Sequence, residues 1–276
     1  MLSPMEQLVI ILVASVLVML VLWFVQRATG DAGVVDVGWS YLLGFSGIFA
    51  GVTGEGGLWP RVAIGAMAGL WGIRLGTHLL VDRVLPGIED GRYTMLRERA
   101  GDKIQPVLFV FFQAQAFSIP ILSLPFVLAS SSRGEALGVP EIVGIAVWLI
   151  ALAGESVADA QLARFKKREG TRGTTCRVGL WKYSRHPNYF FEWLMWVGYA
   201  LVALGADWGW LGLASPLLIL VLVTKVTGIP PTEARALRSR RDYRDYQAST
   251  SAFFPWPPRT PPLAGEPVGA DREESV

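Results

Sequence analysis

The sequence predicts an all-α polytopic membrane protein with seven transmembrane helices, the N-terminus outside and the C-terminus cytoplasmic. Three observations carry that prediction. Apolar residues make up 52% of the chain and charged residues only 17%. Several apolar windows exceed the roughly 20 residues that span a hydrocarbon core. Lys and Arg are strongly segregated along the chain although the formal net charge is only +2.

The apolar runs place helices at about 7–26, 34–52, 59–81, 104–129, 138–163, 188–206 and 208–229. The first run is too long in its apolar core, and lacks the preceding basic region, for a signal peptide, so it is expected to remain as a helix. The third carries Gly65 and Gly69, then Gly72 and Gly76, at i, i+4 spacing, which lets neighbouring backbones approach closely. The sixth opens after Pro187, a residue suited to the first turn of a helix. Residues 1–254 read as a single membrane domain with neither a separate soluble domain nor a long internal repeat. From Pro255 the chain turns to Pro-Trp-Pro-Pro-Arg-Thr-Pro-Pro and then Gly, Glu and Ser, a composition that cannot bury a core, so 255–276 is expected to be disordered.

With the N-terminus outside, Arg27, the 82–103 loop, the 164–187 loop and the segment after 232 share one side. These hold one, five, eight and, up to Arg244, five basic residues, against only Arg61 and Arg133 on the other side. The positive-inside rule makes the rich side cytoplasmic.

Cys176 is the sole cysteine, so no intrachain disulfide forms, and His78 and His186 are the only histidines. A zinc or haem site built on several Cys or His ligands is excluded on those grounds, and no metal is expected. No Gly-x-Gly-x-x-Gly follows a strand, so a dinucleotide has to be held without a Rossmann fold. Membrane lipids are the expected surroundings, and nothing points to nucleic acid or to an obligate protein partner.

The densest chemistry lies in Gly179-Leu-Trp-Lys-Tyr-Ser-Arg-His-Pro-Asn-Tyr-Phe-Phe-Glu192, between two apolar segments. Charges beside hydrocarbon are costly and point to function by default. Arg164, Lys166, Lys167, Arg168, Arg172, Arg177, Lys182, Arg185 and His186 crowd one loop, which suits a polyanionic ligand such as a pyrophosphate with a further phosphate. A loop that only fixes topology or meets anionic headgroups is the alternative for Lys166, Lys167 and Arg168. Asn188 and Glu192 sit four residues apart on one helical face, where they can hydrogen-bond a carboxamide, a ribose or an adenine. Trp196, four residues further on, shares that face. Tyr183, Tyr189, Trp193 and Trp196 offer stacking surfaces, although Trp and Tyr also gather at membrane interfaces. The bases Arg235, Arg238, Arg240, Arg241 and Arg244 either close over cofactor phosphates or form the solvated face of an amphipathic helix.

The segment from Asp159 to Trp196 resembles the C-terminal half of membrane steroid 5-alpha-reductases. Asp36-Val-Gly-Trp39, Trp71-Gly-Ile-Arg-Leu-Gly-Thr-His78, Glu89-Asp-Gly-Arg-Tyr93, Tyr243-Arg-Asp-Tyr246 and Ser251-Ala-Phe-Phe-Pro255 are similar to the bacterial branch of that family. The resemblance implies NADPH held in a cytosol-facing cavity, reduction of the 4,5 double bond of a 3-oxo-4-ene steroid or steroid-like lipid, and residence in a bacterial inner membrane. Family cofactor positions fall on Asp159, Lys166, Arg177, Asn188, Glu192 and Trp196. Arg172, Tyr183, Arg185, His186, Arg235 and Tyr246 complete the set of cofactor candidates. The family usually has Arg at the place of Lys166 and Asn at that of Glu155.

Such a reaction delivers hydride to the β-carbon of the enone and leaves negative charge on the carbonyl oxygen, which needs a donor. The family uses an acidic residue and a tyrosine from the early helices. Asp36 is the acidic candidate, with a helix-end carboxylate in water or paired with Arg27 as the other reading. Tyr41, Tyr93 and His78 are the candidates for the phenol or its substitute, His78 also reading as a hydrogen-bonded packing residue. A second class stays open. Arg185-His-Pro-Asn-Tyr189 with Glu192, Glu233, Tyr243 and Tyr246 also looks like the membrane methyltransferases of isoprenylcysteine, which use S-adenosylmethionine. A non-enzymatic sterol or lipid binder is a third reading, and it leaves Asn188 and Glu192 without a task.

Overall fold

The structure, a computed structural model, describes residues 1–87 and 89–259, and among them there is no β-strand. The helices are α1 (Pro4–Thr29), α2 (Val34–Thr53), α3 (Leu58–Leu79), α4 (Gly91–Ala100), α5 (Ile104–Leu122), α6 (Leu124–Ala129), α7 (Val139–Lys166), α8 (Pro187–Ala203), α9 (Ala214–Val221), α10 (Ile229–Ser239) and α11 (Tyr243–Ser249). Among the described residues six stretches are long and apolar enough to cross a membrane: Pro4–Thr29, Val34–Thr53, Leu58–Val84, Gly91–Ala129, Val139–Lys166 and Gly209–Ser239. The chain is thus an all-helical integral membrane protein. Helix α8, at 17 residues, is shorter than these six.

Local chemistry sets the ends of α1. The Ser3 side chain and Glu6 form a reciprocal capping box, Pro4 occupies the first turn, and Gly30 closes the helix in the left-handed region at φ 80°. Only 17% of the apolar window of α1 is buried. Val9, Val13, Leu17, Val21 and Phe24 stay exposed, as a lipid-facing helix requires.

Two of the expected helices are broken. The 104–129 run splits at Ser123 into α5 and α6, because Pro120 lies inside α5 and Pro125 in the first turn of α6. Each proline lacks an N–H and crowds the preceding turn. The 208–229 run becomes a 3₁₀ stretch over Gly209–Leu213, then α9, then a π-helical turn over Leu222–Val226. Trp208, at φ 60°, sets the direction into it. The segments between and after the apolar runs hold helices as well, and that over Ile229–Ser239 agrees with the amphipathic-helix reading of the bases at 235–244. Helices α4, α10 and α11 are short and polar and leave no signal in hydropathy.

The chain divides into two compact units, one of Met1–Leu152 with Trp193–Leu222, the other of Ala153–Glu192 with Val223–Val276. In the first, α2 and α3 pack backbone to backbone. A Cβ on Gly72 would come within 2.7 Å of both the Gly44 amide nitrogen and the Ser40 carbonyl oxygen, so the pair meets only because glycine stands on both helices. Gly72→Val is expected to lower stability by about 1–3 kcal/mol through overpacking, read as a fall in Tm of the detergent-solubilised protein. Next to this pair lies an aromatic core of Trp71, Phe126, Trp196 and Tyr199, with ring centroids 4.9 to 5.9 Å apart. The Tyr199 hydroxyl donates to the Met67 carbonyl at 3.2 Å.

In the second unit, the segment before α8 is locked to the C-terminal helices. Tyr246 Oη lies within hydrogen-bond reach of the carbonyls of Trp181 and Ser184, and its one proton goes to the nearer, that of Trp181. Trp181 Nε1 donates to the Ala158 carbonyl at 2.9 Å, and the Ser184 hydroxyl to that of Phe253 at 2.8 Å. Trp256 and Arg259 donate their amides to the carbonyls of Tyr183 and Ser249, at 2.9 and 2.8 Å. The rest of the Pro-rich tail, residues 260–276, lies outside the described residues.

Candidate functional site

In the first unit, Asp36 projects from the first turn of α2 into an ion-pair network built by α4. Asp90 caps α4 by accepting the Arg92 amide at 3.0 Å and the Arg92 Nε at 3.1 Å. That fixes the guanidinium so that its Nη2 donates to Asp36 Oδ2 at 2.9 Å, while the Tyr93 hydroxyl donates to Asp36 Oδ1 at 3.0 Å. Arg83 completes the network by donating to Asp90 Oδ2 at 2.8 Å. Burial pushes the Asp90 carboxyl up, but the Arg92 charge, its two hydrogen bonds and Arg83 outweigh burial and hold it below the usual carboxylate range. One turn on, Arg97 binds Glu89 and the Gly30 carbonyl, and Glu89 accepts the Ala32 amide at 3.1 Å. Two clamps therefore hold α4 against the start of α2.

Of the four residues expected to handle the substrate carbonyl, Asp36 and Tyr93 are brought into direct contact. Tyr41 Oη instead lies 3.0 Å from Thr77 Oγ1, and His78 Nδ1 pairs with Asp82 at 3.1 Å, with both of those side chains more than half exposed. Asp36 is neither solvated nor bound to Arg27. The Arg27 guanidinium stacks 5.0 Å from the Trp23 ring, and Arg92 takes the place expected for it.

In the second unit, bases from the segment after α7 and from the end of α10 line two adjoining clefts. One, about 480 Å³, is bordered by Lys166, Arg168, Glu169, Arg172, Thr174 and Arg240, with Cys176 in its wall. The other, about 870 Å³, is bordered by Arg172, Thr174, Arg235, Arg240, Arg241 and Asp242. Arg172 and Arg240 face both. Burial holds the Cys176 thiol above its usual range, so it contributes no negative charge there.

The acid in the larger cleft is already engaged. Asp242 Oδ1 accepts the Thr175 hydroxyl at 2.7 Å, and Arg177 donates to the Asp242 carbonyl at 2.7 Å. Burial raises the Asp242 carboxyl, but the Thr175 bonds and the Arg177 charge outweigh it and leave the group below its usual range. A carboxyl lowered in the folded state stabilises above its unfolded value, and that contribution disappears as pH falls through the folded value. The stability difference between the wild type and Asp242→Asn is therefore expected to be largest near neutrality and to close in acid, as followed by thermal unfolding against pH.

Beside the clefts, Glu233 of α10 gathers four donors. Its Oε1 accepts Arg185 Nε at 2.7 Å and lies 3.2 Å from His186 Nε2 and 3.3 Å from the Tyr243 hydroxyl; its Oε2 accepts Gln247 Nε2 at 2.7 Å. Arg185 also donates to the Gln247 and Thr250 carbonyls. Burial and the neighbouring Glu233 charge push the Tyr243 phenol well up, so it remains a donor.

The expected cofactor residues thus separate by environment. Lys166, Arg172 and Arg235 line the clefts. Arg177 lies at the rim through Asp242, with its guanidinium 5.3 Å from the Tyr246 ring. Arg185, His186 and Tyr246 spend their polar atoms on the fold of the unit. Tyr183 is 42% exposed, and Asp159 is exposed on α7. Asn188 and Glu192 occupy the first two turns of α8, both half-buried. Trp196 is fully buried in the aromatic core of the first unit, packed on Trp71 and Phe126. Sequence reasoning missed Arg92 as the partner of Asp36 and Asp90 as the residue that positions Arg92. The run Glu89-Asp-Gly-Arg-Tyr93 was the available signal.

A family profile described as "Protein of unknown function (DUF1295)" matches residues 22–250. No curated protein and no solved structure matches the chain. With most of its length covered by that profile, the chain belongs to the DUF1295 family.

Proposed function

We propose that the protein is an NADPH-dependent reductase of an enone in a steroid or steroid-like lipid. The observation that carries the reading is the pair of basic clefts in the second unit, where bases outnumber acids and the one acid of the larger cleft is already bound by Thr175 and Arg177. Several phosphates need such a donor set, and guanidinium forks meet them bidentately. The family profile covers all but 251–255 of the segments whose residues resemble the steroid 5-alpha-reductases, which supports the same reading.

Lys166, Arg168, Arg172 and Arg240 would hold the pyrophosphate, and Arg235 and Arg241 the additional phosphate. Asn188 and Glu192 would orient the nicotinamide carboxamide or a ribose. The bound cofactor supplies a hydride. In the first unit, Arg92 and Tyr93 donate to separate oxygens of Asp36, so the carboxyl is engaged as an acceptor and the donor role expected of it passes to Tyr93. The phenol holds a proton that it can turn from Asp36 to a substrate oxygen as negative charge develops there. Arg92 and Asp90 are positioning residues for that bond.

The same reading takes α8 as a seventh crossing, the N-terminus outside, the C-terminus and clefts at the cytoplasm, and a bacterial inner membrane as the location. Isothermal titration of the detergent-purified protein tests the cofactor. NADPH is expected to bind at least about tenfold more tightly than NADH, the difference of one good phosphate contact. Saturable binding of S-adenosylmethionine with none of NADPH would replace the reductase by a methyltransferase.

A further inference from the structure

We infer that a buried carboxylate at the amino end of α7 holds a monovalent hard cation, with Na⁺ the ion its chemistry fits. Glu141 lies in the first turn of α7 and is only 3% exposed. Its Oε1 is 3.3 Å from Ser132 Oγ, which in turn is 3.1 Å from the Gly205 carbonyl oxygen. Its Oε2 is buried with no hydrogen-bond partner among the described residues.

A serine hydroxyl carries one proton, so Ser132 can serve Glu141 or Gly205 but not both. A neutral carboxyl donating from Oε1 to Ser132 would satisfy that chain and still leave Oε2 with nothing. A cation bound at the carboxylate would give Oε2 the partner it lacks, with Ser132 Oγ beside Oε1 and the Gly205 carbonyl beside Ser132. The separations of 3.3 Å from Oε1 to Ser132 Oγ and 3.1 Å from Ser132 Oγ to the Gly205 carbonyl match octahedral edges at a ligand distance of about 2.3 Å, the range of a hard cation on oxygen. The site brings one formal negative charge, which a monovalent ion balances and a divalent ion exceeds.

The surroundings are shaped for a carboxylate in this position. A Cβ on Gly205 would collide with Oε1, and one on Gly138 would come within 2.9 Å of Oε2. Both glycines are exposed, so backbone alone separates the carboxylate from the surface and a small ion has a short path to it. Arg133, the base closest to Glu141 in sequence, is 92% exposed and lies 3.9 Å from Asp207. The inference is independent of the reductase reading.

The test is titration of the detergent-purified full chain with NaCl, ionic strength being held constant with choline chloride. A saturable rise in Tm of several degrees is expected, with half-saturation in the millimolar range. Radioactive ²²Na⁺ should bind at about one ion per chain, a count set by the single carboxylate. Glu141→Gln should abolish both signals, and Ser132→Ala should weaken binding about tenfold while the protein stays folded. If Na⁺ and choline give the same Tm and no ²²Na⁺ is retained, the inference is overturned and the neutral carboxyl stands in its place. Retention of the Na⁺ response by Glu141→Gln would overturn it equally.

Discussion

Glu233→Leu is expected to cost about 3–5 kcal/mol, the penalty of stripping the partner from a buried ion pair, and so to melt the C-terminal part of the second unit. Both charged side chains are nearly enclosed, 12% exposed for Arg185 and 13% for Glu233. Leucine would leave the Arg185 guanidinium, the His186 ring, the Tyr243 hydroxyl and the Gln247 amide without their shared acceptor. Arg185 keeps the carbonyls of Gln247 and Thr250 but loses its only counter-charge among the described residues. Glu233→Gln retains an acceptor oxygen and should lie between the variant and the wild type. Limited proteolysis combined with thermal unfolding reads the difference. An unchanged protease pattern in Glu233→Leu would mean that α10 and α11 are held by their apolar contacts alone.

The second large effect concerns the clefts. Arg172 and Arg240 border both, so the double variant Arg172→Ala, Arg240→Ala removes positive charge from each cleft at once. A hydrogen bond to a charged group contributes about 1.5–3 kcal/mol. Loss of two such contacts should weaken NADPH binding at least about a hundredfold. Arg240 touches the Glu233 network only through its guanidinium, 5.8 Å from the Tyr243 ring, and the polar bonds of that network do not involve either side chain, so thermal stability should change little. The wild-type affinity should also fall steeply with added salt, and the double variant should show a shallower salt dependence because fewer screened contacts remain. Arg235→Ala, which touches only the larger cleft, should narrow the preference for NADPH over NADH more than it weakens the binding of both.

What the sequence made legible follows from the range of each interaction. Helix positions rest on local hydropathy, and α1, α2, α3 and α7 lie within a few residues of expectation. The breaks at Ser123 and at 222–226 escaped because a hydropathy window averages across a kink, although Pro120 and Pro125 marked the first of them. Helix α4 escaped because it is held by the Asp90 cap and by ion pairs rather than by an apolar face, whereas α10, with Ile229 and Ala236 buried, agrees with the amphipathic-helix reading of the bases at 235–244. The basic segment 164–172 was visible as charge density, and the structure adds to it Arg240 and Arg241 from the far end of α10.

Pairing at long range was not readable. Asp36 and Arg92 stand 56 residues apart, and Arg185 and Glu233 stand 48 apart. Each residue type admitted several partners, which is why a pairing with Arg27 stood as the other reading of Asp36 and why Arg185 and His186 were read as cofactor candidates with no link to Glu233. In the structure Arg185 and His186 both meet Glu233 within the second unit. Trp196 shows the same limit from another side, since a tryptophan on the face of Glu192 reads equally as a stacking platform and as core, and it is fully buried in the core.

The most direct test of the reductase reading is isotope transfer. Purified protein would be incubated with NADPH deuterated at C4 of the nicotinamide and with a 3-oxo-4-ene steroid such as progesterone, and the steroid product analysed by mass spectrometry and NMR. The account predicts a saturated ring product carrying one deuterium at the former β-carbon and one solvent-derived hydrogen at the α-carbon, with turnover lost in Tyr93→Phe. Unchanged steroid, in protein shown by titration to have NADPH bound, would contradict the assignment of an enone lipid as the substrate.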